Sequence, residues 1–276
     1  MRLRNRIFGL CFSTGVLIQL CNAGSADTLR IGGTGAASAM LPILFAAMPV
    51  DHDIKLEVVP NLGTTGGLRA LEEGVLDIAV AARPLKPEEK ARGLTQATTL
   101  RTPFVLATSY LGPDGFKSTE IADIYKSTNA TWPNGSLIRV ILRPRSESDT
   151  ALLGAMFPGM AAAIETARRR PDIPIAATDQ DNLTLAERLP GSLAGSSLTQ
   201  LQTEERSLRL VPIDGFMPSV KALESGAYPF GKVLYFVVPA TKKKGTERFI
   251  AFINSPQGQP VLRATGSLLV ADQAVR

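Results

Sequence analysis

The sequence predicts an α/β protein made of parallel β-α-β units, and three observations predict it. Short β-branched runs alternate with helical stretches, glycine- or hydroxyl-rich turns follow the strands and open the helices, and only one long apolar run occurs, at the very start. Such alternation gives a helix-covered sheet. The 276 residues, 45% hydrophobic and 20% charged, are enough for one large or two small domains. Gly 24 and Pro 19, sparse and without period, exclude collagen-like and disordered classes.

The opening run is read as a targeting segment. Arg2, Arg4 and Arg6 precede the apolar stretch Ile7–Leu20, and small and polar residues follow around Ala23–Ala26. That is the layout of a secretory signal, residues 1–26, cleaved after Ala23 or Ala26. Ser13, Thr14 and Gln19 make the stretch too polar, and its length too short, for a permanent span. Lipid anchoring at Cys21 is not expected, because Leu20 before it is bulky. Loss of three arginines takes the 30 basic residues to 27 against 25 acidic ones, so the net charge drops from +5 to +2. No nucleic-acid partner is expected from that balance. Both cysteines, Cys11 and Cys21, leave with the signal, so the mature chain has no disulfide or thiol chemistry.

In the mature chain Leu29–Ile31 is a short strand that enters the loop Gly32–Ser38, and Leu41, Ile43, Leu44 and Met48 mark a helix. Ile54–Pro60 is the second strand, ended by its proline. After the loop Asn61–Gly67, Leu68 and Leu71 share a helical face that Gly74 terminates. Leu76–Ala81 is the third strand. A second set follows: strands near Phe104–Gly112 and Leu137–Arg145, a helix from about Thr150 that Pro158 interrupts, and a helix over 159–170 whose end carries Arg168, Arg169 and Arg170. The runs starting at Ser207 and Lys232 are two more strands, and a helix around Glu247–Asn254 closes the chain. Trp132 and Pro133 are placed in a loop packed on the surface, and Lys242–Lys244 in a solvated cationic turn.

Three turns carry the candidate chemistry: Gly33–Ser38, Gly63–Gly67 and Arg143–Thr150. Each leaves a strand and opens a helix, where unpaired N–H groups and a partial positive charge attract anions, glycine lets a ligand approach, and hydroxyls add donors. The C-terminal edge of parallel strands is also where open α/β sheets bind ligands. The third turn adds Arg143 and Arg145, whose forked donors suit a tetrahedral oxyanion. One residue apart on a strand they point to opposite faces, so one of them is expected to reach the ligand. Enzyme readings fare poorly. The single histidine, His52, sits between acids in a loop, and without Cys neither a metal cluster nor a nucleophilic pair can form. No cofactor is expected.

The segments "GTGAAS", "GTTGGLRALEEGVLDIAVAARPLK", "RPRSESDT", "SVKALESGAYPFGKVLYFVV" and "FIAFINSPQGQPVL" resemble, in order and spacing, the periplasmic phosphate-binding proteins of ABC transporters, the phosphate branch of the type 2 solute-binding fold. The resemblance implies a two-lobed α/β fold, each lobe a helix-flanked mixed sheet, joined by two crossover strands near Thr102–Ala107 and Tyr228–Val233. Lobe 1 would be residues 27–104 plus 230–276, and lobe 2 residues 105–229. It further implies a monomeric, non-enzymatic periplasmic receptor that closes on phosphate or a related oxyanion and passes it to an ABC permease. The implied ligand-binding residues are Thr34, Gly35 and Ser38; Thr64 and Thr65; and Arg143, Arg145, Ser148, Asp149 and Thr150. Asp149 stands where the family has a glycine. Some relatives place an aspartate after the third strand, where this chain has Ala82, so Asp149 either accepts the proton of protonated phosphate or points away from the ligand. Two alternatives remain open: a divergent receptor for an oxyanion or organic phosphate in a sensory or surface system, and a secreted α/β phosphatase or hydrolase.

Overall fold

A computed structural model describes residues 27–49 and 54–270. Residues 1–26, read as a secretory signal and holding both cysteines, and His52 lie outside the described residues. In chain order, β1 (Asp27–Gly33) leads through a single 3-10 turn, Gly35–Ala37, into α1 (Met40–Ala47), then β2 (Ile54–Val59), α2 (Gly63–Glu72), β3 (Ile78–Ala81) and α3 (Pro87–Ala91). Next come β4 (Leu94–Thr108), α4 (Ile121–Lys126), β5 (Arg139–Ile141), α5 (Ser148–Met156), α6 (Met160–Arg168), α7 (Asp179–Arg188), β6 (Ser192–Ser197) and α8 (Leu198–Thr203). The chain finishes with β7 (Arg209–Leu210), α9 (Val220–Glu224), β8 (Gly231–Pro239), α10 (Lys244–Asn254), α11 (Gly258–Ala264) and β9 (Leu268–Leu269).

The strands form one path, β2-β1-β3-β8-β4-β6-β5, with β7 and β9 also on β4. β1 pairs parallel with β2 and β3, and β8 runs antiparallel to both β3 and β4, so the sheet is mixed. The fold is of the two-lobed type, and β4 shows why. Its first part, Leu94–Pro103, pairs with β8, whereas Phe104–Ala107 pairs with β6. One strand therefore serves two half-sheets, and the change of partner falls between Pro103 and Phe104. There Tyr228 donates its hydroxyl to the Phe104 carbonyl (2.7 Å).

Each half-sheet is buried on both faces, which explains its near-continuous apolar strands. In the first, Ile78, Val80, Leu234 and Phe236 pack with Leu44 and Phe249, while Ala79, Ala81, Tyr235 and Val237 face Leu68 and Leu71. In the second, Phe104, Leu106, Val140 and Leu193 pack with Ile121 and Met160, while Val105, Ala107, Ile141 and Ala194 face Leu183 and Leu198. The two-residue alternation of a strand sends neighbours to opposite cores. Two glycines permit the tight packing of α2 on β1. A Cβ on Gly67 would lie 2.6 Å from the Gly33 Cα, and Gly33 itself has φ +128 with a would-be Cβ 2.1 Å from the Val80 carbonyl.

Several boundaries differ from the sequence reading. β4 starts ten residues earlier, because its first part interleaves Thr98, Thr99 and Thr102 with apolar residues; these hydroxyls are buried but bonded, Thr98 to Asn254 and Thr102 to Thr199. β6 is rich in Ser and Gly and is not among the strands read from the sequence, yet Ser192 donates to the Ala186 carbonyl and Ser196 to Gln200. The strand read from Ser207 shrinks to β7, and the helix around Glu247–Asn254 is followed by α11 and β9. Trp132 is buried, stacks on Tyr110 at 4.8 Å and on Phe116 at 5.4 Å, and donates its indole N–H to the Gly191 carbonyl. In the exposed Lys242–Lys244 turn, Lys243 pairs with Asp77 (2.8 Å). Among the described residues no helix is long and apolar enough to cross a membrane.

Candidate functional site

The loop after β1, the start of α2, the segment after β5 and the start of α7 meet at the join of the two half-sheets. They enclose a cavity of about 90 Å³ whose wall includes Gly35, Asn61 and Gly63 on one side and Arg143, Glu147 and Asp179 on the other. Three larger surface hollows, of about 360, 470 and 730 Å³, lie elsewhere. In them Arg263 pairs with Glu224, Arg101 donates to the Pro229 carbonyl and Arg139 to the Pro190 carbonyl. The small cavity holds the unusual chemistry.

Arg143 is its principal cation. The residue is 7% exposed, and its Nη1 donates to the Ala176 carbonyl (2.6 Å). Its Nη2 lies 3.3 Å from Asp179 Oδ1 and 3.4 Å from Glu147 Oε2, while its Nε is buried with no partner. Arg168 braces the segment by donating to the Arg143 carbonyl.

Asp179 is placed by its helix. Thr178 caps α7 by accepting the Asp181 N–H (3.0 Å), and the Asp181 carboxylate returns the bond to the Thr178 N–H (3.1 Å). Asp179 thus stands at the first helical position, where a negative charge is favoured. From there Oδ2 accepts from the Ala36 N–H (3.1 Å) and the Thr34 hydroxyl (3.4 Å), and Gln180 Nε2 donates to the Gly35 carbonyl (3.0 Å).

The ten residues expected at the site separate in space. Arg143 and Gly35 line the cavity, and Thr34 bonds to Asp179. Arg145 corrects the expectation for it: its exposed side chain grips Glu165 (2.5 Å), on the face away from Arg143. Glu165 is held below the usual carboxylate range by that hydrogen bond. Asp149, expected either to accept a ligand proton or to point away, has its two oxygens 2.6 and 2.8 Å from Nζ of Lys232, a fully buried residue of β8. Thr150 donates to the carbonyls of Pro144 and Arg143, turning its hydroxyl into its own loop. Thr64 accepts the Ala82 N–H (2.9 Å), tying α2 to the end of β3, and Thr65 is exposed. Ser38 and Ser148 are half-buried at the ends of their turns.

The sequence reading missed Glu147, Asp179, Gln180 and Lys232. Glu147 lies within the segment "RPRSESDT", and the Thr178-x-x-Asp181 capping box was the signal that could have located Asp179. Together the charges here are two buried cations, Arg143 and Lys232, against two buried carboxylates, Asp149 and Asp179, and the half-buried Glu147. Burial pushes the Glu147 carboxyl above its ordinary value, opposed by Arg143 and reinforced by Asp179 and Asp149. Such a cluster can hold an anion through Arg143 and the Thr34–Ala36 loop, provided an acid yields its place or its charge.

The fold recurs in solved structures. A protein from Clostridium perfringens, described as a phosphate ABC transporter substrate-binding protein with bound phosphate, is 19% identical with a TM-score of 0.69, covering 89% of this chain and 100% of that one. A high-affinity periplasmic phosphate-binding protein bound with phosphate is 11% identical (TM-score 0.66; 89% and 91% covered). An ABC-type phosphate transport receptor from Vibrio cholerae is 16% identical (TM-score 0.58; 88% and 100% covered). No curated protein sequence matches the chain. The sequence model of the PBP superfamily domain matches residues 22–257, most of the chain, and the chain belongs to that superfamily.

Proposed function

We propose that this protein is an extracytoplasmic receptor that captures phosphate, or a related tetrahedral oxyanion, between its lobes and delivers it to an ABC permease without transforming it. The observation that carries this reading is Arg143: a nearly buried guanidinium with an unpartnered Nε on a cavity that also has Gly35 in its wall, beside the donors Thr34 Oγ1 and Ala36 N–H. Charge-assisted hydrogen bonds contribute roughly 1.5 to 3 kcal/mol each, so three or four donors reach the roughly 8 kcal/mol of a micromolar ligand. The two neighbours described with bound phosphate, and the third described as a phosphate transport receptor, support the choice of anion. In this reading residues 27–104 with 230–276 form one lobe and residues 105–229 the other, β4 and β8 act as the hinge, and residues 1–26 direct a monomeric protein to the periplasm.

A thermal-shift panel of the mature chain with phosphate, sulfate, molybdate and a phosphonate tests the ligand class. A true ligand at a hundredfold excess over its dissociation constant adds about 2.7 kcal/mol and raises the midpoint by several degrees. A flat panel rejects the reading.

A further inference from the structure

The seat that the proposed function assigns to an oxyanion is contacted by a carboxylate of the protein itself. Asp179 Oδ2 accepts from the Ala36 N–H and the Thr34 hydroxyl, and Oδ1 lies 3.3 Å from Arg143 Nη2. These are the same donors, with the same preference for a negatively charged acceptor, that an incoming oxyanion would need. The acceptor comes from the other half of the molecule, 143 residues along the chain from Ala36. Gln180 adds a second tie to the same loop through the Gly35 carbonyl. The loop is bare at the point of contact: a Cβ on Gly35 would come within 2.6 Å of Gln180 Oε1 and 2.8 Å of Asp179 Oδ2.

We propose that Asp179 is a built-in competitor for the oxyanion: its carboxylate takes the ligand's donors and latches α7 of the second lobe onto the β1 loop of the first, so that an oxyanion binds by displacing it. The inference rests on the oxyanion reading of the cavity. Two features make displacement workable. Asp179 reaches the seat from the first turn of a helix whose cap, Thr178 with Asp181, does not depend on it. Arg143 keeps a donor, its Nε, that Asp179 does not use. A displaced Asp179 would leave the Ala36 N–H and the Thr34 hydroxyl to the ligand, and Arg143 Nη2 with Glu147 as its remaining carboxylate. The device makes affinity depend on how well the ligand's charge outcompetes one carboxylate, which favours dianions over monoanions.

Calorimetric titration of phosphate into the mature wild type, Asp179→Ala and Asp179→Asn, with small-angle scattering of each protein before anion is added, tests this. Asp179→Ala is expected to bind phosphate at least tenfold more tightly than wild type, with Asp179→Asn in between and competent should the alanine variant not fold. Both variants are expected to show a larger radius of gyration than wild type before anion is added. Equal or weaker phosphate binding by the variants overturns the proposal, since Asp179 is then a bystander or a ligand-contacting residue. An unchanged radius in both variants overturns the latch even if phosphate binds. If no chain binds any tetrahedral oxyanion but the variants expand, the latch stands and the oxyanion reading falls.

Discussion

Lys232 Nζ lies 2.6 and 2.8 Å from the two carboxylate oxygens of Asp149, so β8 is joined by a buried ion pair to the first turn of α5. The lysine is 0% exposed and the aspartate 8%. Removing one partner strands the other charge in the interior, which typically costs about 3 to 5 kcal/mol, whereas replacing both by apolar residues of similar volume is often neutral. Lys232→Met is therefore expected to lose about 3 to 5 kcal/mol in urea unfolding, and Lys232→Met with Asp149→Leu to regain most of it. A single variant with unchanged stability would show that the pair does not neutralise Asp149.

Glu147 faces Arg143, Asp179, Asp149 and Lys232, and burial holds its carboxyl above the ordinary 4.5. The sign follows from the direction of the shift. A folded-state value above the unfolded one means that the native state binds the extra proton, so Glu147 opposes stability as pH rises from 4.5 through its elevated range. Its repulsion of a neighbouring anion sets in over the same interval and persists above it. Glu147→Gln is expected to bind phosphate roughly tenfold more tightly than wild type at pH 8, on the Coulomb scale for a partly solvated pair, with the advantage vanishing towards pH 4.5. The ratio of the two affinities at each pH cancels the ligand's own titration; a pH-independent ratio would remove Glu147 from the site's electrostatics.

Glu89 shifts the other way. Arg83 grips both its oxygens at 2.7 and 2.8 Å, the Lys86 N–H adds a third bond, and the carboxyl is held down at about 2, chiefly by the Arg83 hydrogen bond. Its stabilisation is present above the unfolded value of 4.5 and is lost as pH falls towards 2. Glu89→Gln is expected to cost about 1 to 2 kcal/mol at pH 7, less than the shift alone implies because Arg83 is partly solvated, and little at pH 2.5. Chemical unfolding at the two pH values measures the difference.

The parts of this architecture with strong local signals were legible in the sequence. The β-branched run of β2, the apolar run of β8 and the glycine turns at Gly33 and Gly63 mark strands and helix starts through local chemistry alone. β6 was not legible, because Ser192, Ser196 and Ser197 are polar residues made tolerable in a core only by tertiary hydrogen bonds. The site divides in the same way. Arg143 and Arg145 were recognisable as alternatives from their spacing, but what separates them is Glu165 on one side and Ala176 with Asp179 on the other, partners that lie 20 to 36 residues further along the chain. The charge balance of Asp149 was likewise hidden, since Lys232 arrives from 83 residues away.

The most direct test of the account compares phosphate binding by the mature wild type, Arg143→Ala and Arg145→Ala in a single calorimetric series. Loss of a buried charged contact costs about 2 to 5 kcal/mol, whereas an exposed pair such as Arg145 with Glu165 contributes about 0 to 1. The account expects one saturable phosphate site in the wild type, weakened at least thirtyfold by Arg143→Ala and unchanged within about twofold by Arg145→Ala. Equal binding by wild type and Arg143→Ala, or no phosphate binding by the wild type, would contradict it.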